Sequence, residues 1–394
     1  MRTVVVRKGH AKPLWFGHPW VFAEAIASLG KGDDDWVAVV DEARKPIGRG
    51  WLSPKSALRV RIVDRDPRGA DEETVVARRL EAAVALRRRL FPDPMRTDAY
   101  RLVHGEGDGL PGLVVDRFGS VLVAQFSTRP LVRRREALAR RLLALTGATS
   151  LVGRPGGKEA EEGIAEAEVA FAAGSPAPTP VVAREDGLLF EVDVQRGQKT
   201  GHYADQRENR RAVAEVAGGG RVLDLFAGSC GFSVAALRAG AAAAEAVDSS
   251  AGALLIGTCN AERNGVGGRL RVVESDAGER LDALARAKTS FDVVVSDPPR
   301  FAPARAGLER ALNAYRAVHG KALARVAPGG FAAVFSCSGA VEPGVFADVV
   351  RAALRDVART ATVLRVLAAG PDHPVGLAAP EGRYLTGLLL RLDP

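Results

Sequence analysis

The sequence predicts an α/β protein in which a doubly wound, parallel C-terminal sheet follows a small N-terminal β-barrel and a small α+β domain. Residues 1–70 contain short strand patterns separated by glycines, residues 71–180 mix strands with amphipathic helices, and later residues alternate regularly between apolar strands and helices. A chain of 394 residues is too long for one ordinary domain. We therefore expect three domains, at 1–70, 71–180 (which includes a linker) and 181–394.

The composition excludes several classes of protein. Hydrophobic residues make up 47% and charged residues 26% of the chain, which is typical of globular proteins. The longest apolar stretches, such as 331–337, fall short of the ~18 residues that a membrane span requires. The N-terminus shows no signal-peptide pattern, so we expect a cytoplasmic protein without membrane contact. Cys230, Cys259 and Cys337 form no CxxC or Cys/His arrangement, so neither disulfides nor a metal site are expected.

The charge distribution favours a polyanionic partner for the N-terminal segment. The net charge is +8, and residues 1–70 hold 13 basic and 8 acidic residues. Such an excess is typical of nucleic-acid binding, although an arginine-rich solvated surface has the same composition. The aromatic residues of Gly17–Phe22 are suited either to packing against a barrel core or to stacking on bases.

The first two predicted domains consist of short elements. Strands are predicted over 3–7, 36–40, 46–51 and 58–63, and then over 100–103, 113–117, 121–126 and 150–153. Apolar residues at intervals of three or four predict helices over 71–90 and 131–145. Residues 156–180 are rich in Glu, Ala, Gly and Pro, which indicates an irregular connection.

The third domain alternates strands with helices. Strands are predicted over 221–226, 244–248, 270–274, 291–296 and 331–336, with helices over 232–239, 251–264, 278–287 and 308–326. Continuous apolar strands such as Val293–Val295 indicate a parallel sheet that is covered on both faces. Such sheets bind ligands beyond the carboxyl ends of their strands.

Acidic residues stand at the ends of four successive predicted strands. Asp224 precedes a glycine turn with Gly228, where a carboxylate can accept a hydrogen bond from an ammonium group. Asp248 is placed to bind ribose hydroxyls, Asp276 an adenine amino group, and Asp297 closes the fourth strand. Each acid alone has the ordinary alternative of a helix N-cap or a surface position. We expect their neighbours to line the same cofactor site: Phe226, Ala227, Ser249 and Ala277.

This ordered set resembles the class I S-adenosylmethionine (SAM) dependent methyltransferases, in which Asp-Pro-Pro is typical of enzymes that act on nucleobases. In Asp297-Pro-Pro-Arg-Phe301 the two prolines restrict the loop that meets a flipped-out base. We therefore predict that the substrate base is bound by Pro298, Pro299, Arg300 and Phe301.

Cys337 follows the next predicted strand, at the same sheet edge as Asp297. A lone cysteine is ordinarily a buried structural residue. Carbon 5 of a pyrimidine, however, is too weakly nucleophilic to attack a methyl sulfonium, and thiolate addition at C6 makes C5 reactive. The position of Cys337 thus predicts a catalytic nucleophile, with Asp297 stabilising the charge that develops at N3.

A longer set of motifs resembles the ribosomal RNA large subunit methyltransferase I family, whose members are 23S rRNA cytosine-5 methyltransferases with an N-terminal PUA domain. The motifs span nearly the whole chain: Gly17–Phe22, Asp108–Gly112, Asp116–Gly119, Gln195–Arg210, Asp297–Phe301, Ser336–Gly339, Asp372–Pro374 and Pro380–Tyr384. The resemblance implies SAM as cofactor, 23S rRNA or its large-subunit precursor as partner, a homodimer as one assembly, and further SAM-binding residues: Lys199, Thr200, Gly201, Tyr203 and Gln206.

Three alternatives to this function remain at the level of sequence. A uridine-5 methyltransferase also combines Asp-Pro-Pro-Arg with a Ser-Cys turn, although Ser338-Gly339 differs from the usual Asn-Pro. An exocyclic-amine methyltransferase would leave Cys337 without a function. A catalytically inactive RNA-binding or ribosome assembly factor would not need all four strand-end acids.

Overall fold

The computed structural model describes residues 1–157, 159–197, 199–301 and 307–394. Lys158 of the predicted connection and Gln198 of the motif before the first C-terminal strand lie outside the described residues. The chain forms two compact units. The first contains Met1–Arg184, Val192–Tyr203 and Pro371–Gly382, and the second contains Glu185–Glu191, Ala204–Gly370 and Arg383–Pro394.

The first unit begins with a six-stranded sheet. Its elements are β1 (Arg2–Val6), α1 (Lys12–Trp15), β2 (Trp20–Phe22), β3 (Ile26–Leu29), β4 (Trp36–Asp41), β5 (Pro46–Leu52) and β6 (Leu58–Asp64). The strand order is β2-β6-β5-β4-β1-β3, with β1 parallel to β4. Alternate residues such as Val37 and Val39 are fully buried and form the core, as the period-2 pattern of a half-buried strand requires. Strands β2 and β3 are not predicted from the sequence, because they are only three and four residues long.

The same unit continues with a five-stranded sheet and two long helices. Its elements are α2 (Glu72–Leu90), β7 (Ala99–His104), β8 (Leu113–Phe118), β9 (Val121–Phe126), α3 (Arg129–Thr146), β10 (Ser150–Gly153), α4 (Glu166–Val169) and β11 (Phe171–Gly174), and the order is β11-β10-β9-β8-β7. Helix α2 begins after Asp71, whose side chain accepts a hydrogen bond from the backbone of Thr74 at 2.9 Å. This N-cap satisfies one of the free amides of the first turn.

The prediction of an irregular connection over 156–180 is wrong in its central part. Residues Phe171–Gly174 form β11, which pairs antiparallel with β10, and Val169 just before it is fully buried. The strand escaped notice because it is a four-residue edge strand, Phe-Ala-Ala-Gly, which has no alternation of apolar and polar residues.

Strands β12 (Val181–Glu185) and β13 (Leu188–Val192) lie where the chain passes from one unit to the other. Most of the remaining elements belong to the second unit. The elements that follow are α5 (Arg207–Ala214), β14 (Arg221–Leu225), α6 (Gly231–Arg238), β15 (Ala243–Asp248), α7 (Ala251–Arg263), β16 (Leu270–Glu274), α8 (Ala277–Arg286), β17 (Phe291–Ser296), α9 (Leu308–Leu323), β18 (Val326–Ser336), α10 (Pro343–Asp356), β19 (Ala361–Ala368) and β20 (Thr386–Leu392).

A seven-stranded sheet of order β16-β15-β14-β17-β18-β20-β19 organises this unit. Strands β14 to β18 are parallel, as predicted, whereas β20 runs antiparallel to both β18 and β19. The sheet is therefore mixed rather than wholly parallel. The chain moves outward from β14 to β16 and then returns to the other side of β14 with β17, so the strand order reverses between β14 and β17. Ligands of doubly wound sheets bind at this point, beyond the carboxyl ends of the strands.

Both faces of the central strands of this sheet are buried. Along β17, Val293 and Val295 pack into the hydrophobic core on one face, and Val294 packs into the core on the other. A strand that is covered on both sides is continuously apolar, which explains why its pattern was legible in the sequence. Among the described residues, no helix has the length and apolar character needed to cross a membrane.

Candidate active site

Asp224 lies on β14, one of the two strands between which the strand order of the sheet reverses. Its side chain is almost completely buried, and Oδ2 accepts hydrogen bonds from the Ser233 backbone amide at 3.0 Å and the Ser233 hydroxyl at 2.7 Å. The other oxygen, Oδ1, is buried without a hydrogen-bond partner among the described residues. Burial raises the pKa of Asp224 to about 6. A buried carboxylate oxygen without a partner is suited to accepting a hydrogen bond from a cationic ligand.

The turn that follows β14 has an unusual backbone. Phe226, Gly228 and Cys230 have φ angles of +61°, +51° and +60°. Glycine adopts this left-handed conformation at little cost, but the two other residues do so against a steric penalty. Such conformations are concentrated at ligand-binding sites, where the surrounding structure holds them. Ala227 is fixed in the same turn by a hydrogen bond from its amide to the Val247 carbonyl at 3.0 Å.

Asp248 orders this turn from the end of β15. Its Oδ2 accepts a hydrogen bond from the Gly228 amide at 2.8 Å and its Oδ1 from the Ser250 amide at 2.9 Å, while the side chain stays half-exposed and Ser249 is exposed. A carboxylate has about four lone-pair sites, so two amide bonds leave capacity for ribose hydroxyls. Asp276 is exposed and caps α8, with the buried Ala277 as the first helical residue.

Asp297 follows directly after β17. Its Oδ2 accepts a hydrogen bond from Gln206 Nε2 at 2.8 Å, and Gln206 Oε1 in turn accepts one from Asn209 Nδ2 at 2.5 Å. Gln206 and Asn209 are buried. This hydrogen-bonded chain orients the Asp297 carboxyl group. The family resemblance predicts Gln206 at the cofactor, whereas Asn209 is not singled out by the sequence.

Cys337 lies beside the Asp-Pro-Pro loop. Strands β17 and β18 are neighbours in register, with Ser296 opposite Val334, so the residues after each strand meet at one sheet edge. The Cys337 thiol donates a hydrogen bond to the Pro298 carbonyl over a distance of 3.6 Å, and the side chain is half-buried. Of the other thiols, Cys230 is buried, and burial raises its pKa well above the ordinary value.

The predicted base-binding residues occupy different environments. Pro298 is buried, Pro299 and Arg300 are exposed, and Phe301 is half-buried, with its ring centroid 4.8 Å from that of Tyr315 on α9. The exposed positions are available to a substrate. Phe301 uses part of its surface for packing.

The predicted cofactor residues Lys199, Thr200, Gly201 and Tyr203 belong to the first unit, whereas the acids and Gln206 belong to the second. The Lys199 ammonium lies 4.3 Å from the centre of the Tyr203 ring, and the Thr200 hydroxyl donates a hydrogen bond to Asp116 Oδ2 at 2.5 Å. Gly201 has a φ of +117°, and a Cβ there would lie 2.6 Å from a Val192 methyl group. Their role at SAM stays a prediction.

Comparisons with known proteins agree with this organisation. The profile of the S-adenosylmethionine-dependent methyltransferases matches residues 100–379, and that of a PUA-like domain matches residues 4–65. Ribosomal RNA large subunit methyltransferase I of Aeromonas hydrophila is 35% identical over 393 residues, covering 99% of both chains. The protein of the same name from Shewanella denitrificans is 35% identical over 394 residues, again covering 99% of both.

The chain belongs to the ribosomal RNA large subunit methyltransferase I family. The fold agrees, because a Streptococcus mutans structure described as that of a SAM-dependent methyltransferase superposes with a TM-score of 0.85 at 19% identity, covering 99% of this chain and 100% of the other. The predicted fold class, with a PUA-like N-terminal part and a SAM-dependent methyltransferase part, is confirmed.

SAM is the cofactor of this protein, which matches the profile of the SAM-dependent methyltransferases. Residues of the second unit have chemistry that suits binding of SAM. The buried Oδ1 of Asp224 suits the cationic amino group, the strained turn at 226–230 brings backbone close to a ligand, and Asp248 keeps lone pairs for hydroxyl groups. When bound, SAM supplies an electrophilic methyl group.

The pH dependence of cofactor binding tests the role of Asp224. Its folded-state pKa of about 6 lies above the ordinary 3.8, so its contribution to the stability of the ligand-free protein is complete below pH 3.8 and is lost as the pH rises through 6. A bound cation favours the ionised form. We therefore expect calorimetry to show the dissociation constant of S-adenosylhomocysteine falling about tenfold between pH 5 and pH 7. Asp224→Asn should bind weakly with a flat profile, and a flat wild-type profile would contradict this role.

Proposed function

We propose that this protein methylates carbon 5 of a cytosine in 23S ribosomal RNA, or in the large-subunit precursor, through a covalent bond between Cys337 and C6 of the base. The observation that carries the proposal is the 3.6 Å contact between the Cys337 thiol and the Pro298 carbonyl. This contact brings a thiol, rather than an apolar side chain, against the Asp-Pro-Pro loop. A methyltransferase acting on an exocyclic amine has no need for a nucleophile at that place.

The residues at this edge suit the addition and release steps of the proposed reaction. The Cys337 thiolate adds to C6, and the electrons of the C5–C6 double bond move into the ring and increase the nucleophilicity of C5. Asp297, in its protonated form, donates a hydrogen bond and then its proton to N3, which neutralises the charge that develops there, and Gln206 holds its carboxyl group in place. After C5 is methylated, a base removes the C5 proton, the C5–C6 double bond re-forms as the bond from C6 to the Cys337 thiolate breaks, and N3 returns its proton to Asp297.

RNA as the substrate rests on the first 70 residues and on the relatives. The PUA-like match covers residues 4–65, and residues 1–70 carry 13 basic against 8 acidic residues. Phe16, just after α1, is 76% exposed, which leaves an aromatic face for a base, whereas the Lys45 ammonium covers one face of Trp15 at 4.4 Å from the ring centre. The relatives from Aeromonas and Shewanella are named for large-subunit ribosomal RNA. Such a substrate would be met in the cytoplasm.

The remaining proposals concern organisation. We propose the domain division 1–70, 71–180 and 181–394, with the first domain binding RNA and the last carrying the reaction. We also propose that Lys199, Thr200, Gly201 and Tyr203 contact SAM, that Pro298, Pro299, Arg300 and Phe301 contact the base, and that the protein forms a homodimer.

Nucleoside analysis tests the proposed product. The purified protein is incubated with large-subunit rRNA and with SAM carrying a deuterated methyl group, and the RNA is digested to nucleosides for mass spectrometry. We expect the label in 5-methylcytidine, at one site that bisulfite sequencing then maps. Label in 5-methyluridine or in an N-methylated nucleoside would replace the cytosine assignment. Binding of S-adenosylhomocysteine without any transfer, on rRNA and on ribosomal particles, would favour the non-catalytic alternative.

A further inference from the structure

His319, on α9, connects the two strands that carry the proposed catalytic residues. It is fully buried, and its Nε2 lies 3.1 Å from the Phe335 carbonyl while its Nδ1 lies 3.0 Å from the Ser296 hydroxyl. A carbonyl only accepts, so Nε2 carries the proton and Nδ1 accepts from the serine. Burial lowers the pKa of His319 to about 3, so the ring is neutral at physiological pH. Ser296 precedes Asp297, and Phe335 stands two residues before Cys337.

Tyr315 stands one helical turn earlier and contacts the other flank of each catalytic residue. Its ring stacks on His319 with a centroid distance of 5.8 Å, as residues four apart on one helix face can do. Its hydroxyl lies 2.9 Å from Ser338 Oγ and 3.5 Å from the Phe301 amide. Ser338 directly follows Cys337, and Phe301 ends the Asp297–Phe301 motif. The tyrosine is fully buried.

A buried histidine is ordinarily a core residue with satisfied hydrogen bonds, and this pair has that property too. What distinguishes the pair is where its bonds go. The partners Ser296, Phe301, Phe335 and Ser338 lie within four residues of Asp297 or two of Cys337, and they bracket each residue from both sides. Apolar side chains would fill the same space without the cost of burying polar groups, so the polar pair adds geometric definition at this edge.

We propose that Tyr315 and His319 are positioning residues for methyl transfer, which hold the Asp297–Phe301 loop and the Cys337 turn in a fixed relation. The proposal rests on the proposed function, because it assumes that Asp297 and Cys337 act together. Neither side chain needs to contact the substrate. A displacement of about 1 Å in reacting groups costs on the order of 10²-fold in rate, so this link is worth testing by kinetics.

Tyr315→Phe keeps the ring and removes only the hydroxyl. We expect the single-turnover rate of tritium transfer from SAM to rRNA to fall about tenfold or more, while the dissociation constant of S-adenosylhomocysteine changes by less than about twofold. Ser338→Ala, which removes the partner hydroxyl, should have a similar effect. Because Tyr315→Phe already removes the bond that Ser338→Ala breaks, together with the contact to the Phe301 amide, the double variant should be little slower than Tyr315→Phe alone.

His319 is tested by a graded pair of substitutions. His319→Phe removes both hydrogen bonds, whereas His319→Gln keeps a donor for the Phe335 carbonyl, so we expect the glutamine variant to be faster than the phenylalanine variant. Asn264→Ala is the matched control, because it removes two hydrogen bonds to the Leu189 backbone elsewhere in the same unit. It should lower the thermal unfolding midpoint without slowing methyl transfer.

A measurement that does not depend on methyl transfer tests this proposal separately from the proposed function. Alkylation of Cys337 by iodoacetamide, followed by peptide mass spectrometry, should accelerate at least about threefold in Tyr315→Phe, with Cys259 as an unchanged internal reference. Methyl transfer is measured whichever base receives the methyl group. If the product is not 5-methylcytidine, the transfer rate and the alkylation rate therefore still test the positioning role. Folded Tyr315→Phe and Ser338→Ala variants with wild-type transfer and wild-type alkylation would overturn the positioning role.

Discussion

Cys337→Ala is expected to abolish methyl transfer to rRNA, with a loss of about 10⁴-fold or more in the single-turnover rate. Without the thiolate no bond forms at C6, and C5 stays too weak a nucleophile to accept the methyl group. The substitution removes one sulfur atom from a half-buried position at the end of β18, so the fold should persist. Calorimetry should therefore show S-adenosylhomocysteine binding within about twofold of wild type.

Cys259→Ala is the matched control for this experiment. Cys259 is likewise a half-buried thiol, but it lies on α7. Its alanine variant should transfer methyl groups at the wild-type rate. Normal activity in Cys337→Ala would show that Cys337 is not the nucleophile and would favour methylation of an exocyclic amine.

Asp297→Asn is expected to slow methyl transfer by about 10²- to 10³-fold. The amide retains an oxygen that accepts the hydrogen bond from Gln206, so the loop should keep its place. Its amino group can still donate a hydrogen bond to N3 but cannot pass a proton to it, so the charge that develops during addition at C6 is stabilised less well. The effect should fall on the rate of covalent addition more than on RNA affinity.

Asp292→Asn makes the same chemical change near the opposite end of β17. Asp292 is exposed, and its Oδ2 accepts a hydrogen bond from the Arg221 amide at 2.7 Å. This variant should react at the wild-type rate. If both variants slow the reaction equally, Asp297 acts through strand stability, and its proposed role at N3 would be wrong.

The parts of the site that the sequence could predict are those that depend on position along a strand. Buried parallel strands are legible as apolar runs, and residues that follow them must meet at one sheet edge. This rule alone placed Asp224, Asp248 and Asp297 at strand ends. The family resemblance then supplied RNA, cytosine and the residues 199–203, none of which follows from strand order.

Contacts made across the fold could not be predicted. Gln206 meets Asp297, and Tyr315 meets Ser338, only because helices α5 and α9 pack where they do, and no local pattern encodes those distances. In the sequence, the sign that α9 holds the site is the spacing of Tyr315 and His319, four residues apart on a predicted helix. The same spacing is typical of an ordinary core face. The antiparallel β20 was missed for a related reason, since strand direction depends on long-range pairing.

Trapping of the covalent bond is the direct test of nucleophilic catalysis by Cys337. Wild-type protein is incubated with SAM and rRNA fragments containing 5-fluorocytidine, in which fluorine replaces the C5 proton and prevents release. We expect an adduct that survives denaturation, with the nucleotide attached to the peptide containing Cys337, and no adduct in Cys337→Ala. A fully active wild-type protein that forms no adduct, or one attached to Cys230 or Cys259, would contradict covalent catalysis by Cys337.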